Sequence, residues 1–123
     1  MAAAIEARVR NEGERTVVDL RGDLDQSADT SLTDAYGRAR RSGAARILLN
    51  FTDVDYINST GIALIVSLLS AARKDGLSIL AFGVSDHYRQ VFEITRLTDY
   101  MPVYADEETA AGNDISRLET KEA

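Results

Sequence analysis

Apolar and polar positions along this chain recur with two periods, and the switches between them mark out its elements. "IEARVR" alternates every second residue and "TVVDLRG" is β-branched and apolar, with the turn-forming "NEGE" between them, so the pair predicts a β-hairpin. "DLDQSADTSLTDAYGRARRSG" then changes to helical spacing. Leu32, Ala35, Tyr36 and Ala39 form its apolar stripe, Ser27 and Asp29 are cap candidates, and Gly43 is a stop. "RILLNF" is a short, nearly continuous apolar run, the pattern of an interior strand covered on both faces. After "TDVDYINST", which reads as a loop, Ile62, Ile65, Val66, Leu69 and Ala72 give a central helix closed by "KDG". "LSILAFG" is a second buried strand, and "SDHYRQVFEITRL" is a helix capped by Ser85 with Tyr88, Val91, Phe92 and Leu97 on its apolar side. A short strand around Val103 and Tyr104 and a helix over Asp106 to Ala111 complete the pattern.

The order β-β-α-β-α-β-α-β(-α) predicts an α/β fold with a single mixed β-sheet and packed helices, the hairpin antiparallel and the later strands arriving through helices. At 123 residues with 45% hydrophobic content and one proline, the chain reads as one domain over residues 1–111 followed by a polar tail, 112–123. No cysteine is present, which excludes disulfides and thiol chemistry and fits a reducing compartment. The start of the chain lacks the pattern of a signal peptide, and its longest apolar stretch falls far short of the roughly 20 residues that span a bilayer, so a cytoplasmic protein without membrane insertion is expected. A net charge of -6 argues against direct nucleic-acid binding. The one basic cluster, Arg38, Arg40, Arg41 and Arg46, reads as a solvated helix end.

Candidate chemistry is sparse. The chain has no P-loop, no G-x-G-x-x-G and no Ser-His-Asp arrangement, and its single histidine, His87, reads as a first-turn surface residue rather than a metal ligand. Asp53 and Asp55 are too few for a cation site and read as solvated. No enzyme, no cofactor and no metal are expected. What stands out is "INSTG" at the start of the central helix. Asn58, Ser59 and Thr60 are residues that cap a first helical turn, but the same place favours negative charge, so a phosphate on Ser59 is physically well tolerated. Gly61 reads either as a close backbone approach or as part of a docking surface.

"RGDLDQSA", "LNFTDVDYINSTGIALIV" and "VSDHYRQVFEITRL", in this order, resemble successive hallmarks of STAS domains, the sulfate-transporter and anti-sigma-factor-antagonist family. The resemblance, to the stand-alone antagonist type, covers residues 4 to 108. It implies a non-enzymatic protein that binds an anti-sigma factor with serine kinase activity while unphosphorylated and is released when Ser59 is phosphorylated. A Ser/Thr phosphatase acting on Ser59 would reverse the step. The implied partner-binding face comprises Asp25, Asn58, Ser59, Thr60, Gly61 and Ile62, with Asp25 open to a second role as a loop cap. The family usually has Asp before the acceptor, where this chain has Asn58, and glycine is frequent where this chain has Ala63. The first departure keeps an alternative in view, a constitutive STAS scaffold subunit of a transporter or signalling assembly.

Overall fold

The structure is a computed structural model in which residues 4–112 are described; of the tail expected over 112–123, Gly112 is instead the last residue of a helix and 113–123 lie outside the described residues. Strands β1 (Glu6–Glu12) and β2 (Arg15–Leu24) form the expected antiparallel hairpin. Helix α1 (Asp29–Arg41) leads to β3 (Arg46–Ile57), α2 (Ser59–Lys74), β4 (Ser78–Phe82), α3 (Asp86–Ile94), β5 (Val103–Tyr104) and α4 (Glu107–Gly112). The sheet has five strands in the order β1-β2-β3-β4-β5, with β2 to β5 parallel. The predicted α/β class and element order are therefore found, and β3 is the central strand.

Strand alternation divides the apolar residues between two faces. Val18, Leu20, Leu49, Phe51, Ile79 and Ala81 face one way and are covered by Leu32, Ala35 and Ala39 of α1, Ile65, Leu68 and Ala72 of α2, and Phe92 of α3. Val17, Leu48, Leu80 and Phe82 face the other way under Ala110 of α4. Short as it is, α4 is fixed by polar contacts. Asp106 Oδ1 accepts from the Thr109 amide at 2.8 Å, Arg10 Nη2 donates to Glu107 at 2.9 Å and to Asp19 at 3.0 Å, and Arg46 Nη1 donates to the Ala111 carbonyl at 3.1 Å. Arg46 thus belongs to β3 and to the seat of α4, not to the solvated end of α1 expected for it.

Asp19 also accepts from Asn50 at 2.8 Å. The Arg10 guanidinium, and then Asn50, hold its carboxyl below the ordinary value of 3.8 against the opposing effect of burial. A carboxyl lowered on folding contributes stability above its unfolded pKa and loses it as pH falls through the folded value. The stability difference between wild type and Asp19→Asn is therefore expected to be about 1 kcal/mol at pH 6, between the values for exposed ion pairs and for hydrogen bonds to charged groups, and to shrink below about pH 4. Urea midpoints across pH 3 to 7 check this; a difference that does not depend on pH would contradict it.

Three local expectations are corrected. The segment "TDVDYI" is not loop but the second half of β3, because β2 is long enough to pair with it up to Leu24↔Ile57, absorbing irregularities at Arg21 and at Gly22, whose φ of 113° suits only glycine. Neither Ser27 nor Asp29 caps α1: Ala28 stands at its N-cap with no side-chain bond, and Asp25 instead caps the 3-10 turn over Gln26–Ala28 that precedes the helix. Helix α3 stops at Ile94, since Arg96 takes a left-handed conformation (φ 63°) that starts a second 3-10 turn and still buries Leu97.

Candidate functional site

The β3–α2 junction lies where the C-terminal ends of two parallel strands meet a helix N-terminus. Asn58 has extended backbone (φ -101°, ψ -177°), and its Oδ1 accepts the Gly61 amide at 2.9 Å, so Asn58 is the N-cap of α2. Asn supplies this capping oxygen as Asp would, without the negative charge of a carboxylate. Ser59 is then the first helical residue, exposed, and its hydroxyl makes no hydrogen bond among the described residues. Thr60 is likewise exposed, while Ile62 is half-buried against the helix-side core. Capping is thus assigned to Asn58, and the Ser59 hydroxyl is left to solvent.

Gly61 is buried because α2 begins against the end of β2. A Cβ at Gly61 would lie 2.8 Å from the Leu24 carbonyl carbon, nearer still to its oxygen, and 3.2 Å from Ile57 Cγ2. The same Leu24 carbonyl accepts the Asn58 amide at 3.2 Å. That bond also brings Asp25, which follows Leu24, to the same end of the sheet as Ser59. Asp25 Oδ1 accepts from Ser27 Oγ at 2.6 Å and from the Ser27 amide at 2.9 Å, and these two bonds hold its carboxyl below the ordinary range. The loop-cap role considered for Asp25 is therefore present, on a side chain that remains half-exposed.

Two tyrosines join this end of the molecule without any local sequence signal. Tyr56 is 49% exposed and pairs with Asp23 across the strands. Tyr88, expected only as an apolar position of α3, uses its hydroxyl to accept the Ile57 amide at 3.0 Å. Asp53 and Asp55 are exposed on β3 and line an open groove with Glu6 and Arg21. No three His, Cys, Asp or Glu side chains converge on one point among the described residues. His87 sits in the first turn of α3, exposed, with its ring edge-on to Tyr88 at 4.8 Å.

Comparison with known proteins adds the lineage. The family model described as "Mlab, STAS domain" matches residues 7–103. An anti-sigma-B factor antagonist of Staphylococcus aureus is 35% identical over 86 residues, spanning 70% of this chain and 80% of that protein. The chain belongs to the STAS domain family. Solved structures share the fold of this STAS domain at lower identity. An anti-sigma factor antagonist from Mycobacterium paratuberculosis superposes with a TM-score of 0.70 at 19% identity, covering 87% of this chain and 91% of that one. The Bacillus cell fate determinant SpoIIAA in its phosphorylated form gives 0.64 at 21%, covering 85% and 96%. No helix among the described residues of this STAS domain is long and apolar enough to cross a membrane.

Proposed function

We propose that this STAS domain, residues 1–112 with a polar tail over 113–123, is a cytoplasmic anti-sigma factor antagonist, controlled by phosphorylation of Ser59. The observation that carries this reading is the division of labour at the junction: Asn58 takes the cap, and Ser59 keeps an exposed hydroxyl with no bond to any described residue, on a fixed helical turn. Unmodified, the chain binds an anti-sigma factor that is also a serine kinase. In the transfer step the Ser59 oxygen bonds to the γ-phosphorus of ATP, the bond to ADP breaks, and the hydroxyl proton passes to a base of the kinase. The kinase also brings magnesium and the phosphate clamp. The chain is then substrate and ligand, not enzyme. A Ser/Thr phosphatase restores it. Support comes from the antagonist relative in Staphylococcus aureus and from the existence of a phosphorylated form of a protein with this fold.

The phosphate adds about -1.5 to -2 charges at neutral pH to an end of the sheet that already carries Asp25. A partner that desolvates this face in the unmodified state meets a dianion that must keep its water or find new cations, and release follows without refolding. Intact mass with peptide mapping of the protein from its native cells, before and after broad Ser/Thr phosphatase treatment, tests the reading. One phosphatase-sensitive phosphate on Ser59 is expected. A wholly unmodified pool across several growth conditions would favour the second reading, a constitutive scaffold using the same face, for which Asn58 in the family's usual Asp position is the supporting observation.

A further inference from the structure

We infer that Tyr88 is a positioning residue for Ser59: its hydroxyl anchors the last amide of β3 and so fixes the turn that presents the acceptor. The importance of this turn for phosphorylation rests on the function proposed above; the anchoring itself does not.

Strand β4 ends its pairing with β3 at Asn50↔Phe82, so β3 continues for seven further residues, to Ile57, with only β2 beside it as a strand. Where it ends, the chain is gripped from two sides. The Asn58 amide donates to the Leu24 carbonyl at 3.2 Å on the β2 side, and the Ile57 amide donates to Tyr88 Oη at 3.0 Å on the α3 side. Ser59 is the next residue. A strand end held by one bond pivots about it, whereas two bonds to different elements fix its direction. That direction decides where the Ser59 hydroxyl points relative to a docked ATP, and a small misplacement of a reacting atom is costly in rate.

Tyr88 is itself well held. Its ring is half-buried against the helix-side core, and its amide donates to the Ser85 cap at 3.3 Å. One turn later Phe92 is fully buried, its ring edge-on to Phe51 with centroids 5.8 Å apart. Helix α3 is thus docked on β3 twice, through Phe92 on Phe51 and through Tyr88 on Ile57. Tyr88→Phe keeps the packing ring and removes only the anchoring oxygen.

Amide hydrogen exchange followed by NMR on the full chain separates anchoring from general stability. In Tyr88→Phe, exchange at Ile57 and at the capped Gly61 amide is expected to accelerate roughly three- to tenfold, the factor carried by one net hydrogen bond, while the amides of Ser42 at the end of α1 and Ala110 in α4, which open locally without releasing this junction, exchange as in wild type. Equal acceleration at all four amides, or none at Gly61, overturns the inference. With ATP and the serine kinase recovered on immobilised wild-type chain, kcat for Ser59 is expected to fall by a similar factor with KM little changed, and an unaltered kcat would equally overturn it. Failure of wild type itself to accept phosphate removes the proposed function and leaves the exchange result to decide the anchoring.

Discussion

Gly61→Ala is expected to destabilise this protein by at least about 3 kcal/mol, a large share of the roughly 5–15 kcal/mol available to a domain. The sign is not obvious from the sequence, because Gly61 lies in the first turn of a 16-residue helix, where alanine is the better helix former by about 1 kcal/mol. The contact decides it. The added methyl would lie 2.8 Å from the Leu24 carbonyl carbon and closer to its oxygen, and that backbone cannot yield without breaking the bond that Leu24 accepts from Asn58. Either α2 separates from β2 or the junction at Ser59 opens. Gly37→Ala is the control: it lies inside α1, its new methyl would meet only the end of the flexible Arg41 side chain at 3.4 Å, and it should raise stability by about 0.5–1 kcal/mol. Urea denaturation of both variants checks the pair, and a Gly61→Ala protein within 1 kcal/mol of wild type would show that the junction yields.

How much of this was legible in the chain varies with the range of the interaction responsible. "RILLNF" and "LSILAFG" could be read as interior strands because both faces of the sheet are covered, so burial leaves a continuous apolar run. The extension of β3 through Asp53 and Asp55 could not, because it depends on pairing with a β2 whose bulges have no short-range signature. In α2 the apolar residues run almost all the way round. Periodicity points to a stripe including Val66, whereas the sheet is met by Gly61, Ile65, Leu68 and Ala72, and Val66 is 49% exposed. The phase of that helix is set by the Gly61 approach to Leu24, a contact 37 residues apart in sequence. The candidate hydroxyl was legible from its motif and helix boundary. Which residue would cap the turn and which would stay free was not, since Asn58, Ser59 and Thr60 are all competent caps and only the backbone geometry of Asn58 chooses among them.

Ser59→Asp is expected to separate stability from binding. A carboxylate at the first helical position interacts favourably with the helix dipole, so the fold should be kept and stability raised by about 0.3–1 kcal/mol. Binding to the proposed anti-sigma factor partner should instead weaken by about 100-fold, or roughly 2.7 kcal/mol, because the new charge would have to be desolvated in the proposed interface beside the half-exposed Asp25. Ser59→Ala removes a hydroxyl that has no intramolecular partner among the described residues, so it should bind within about threefold of wild type while refusing phosphate. Asp carries less charge than a phosphate, which makes the expected loss a lower bound on the effect of the modification. Isothermal titration of the three proteins against the partner, with thermal melts alongside, reads both quantities. If Ser59→Asp bound like wild type, charge at Ser59 would not control docking, and the face would serve a partner indifferent to phosphorylation.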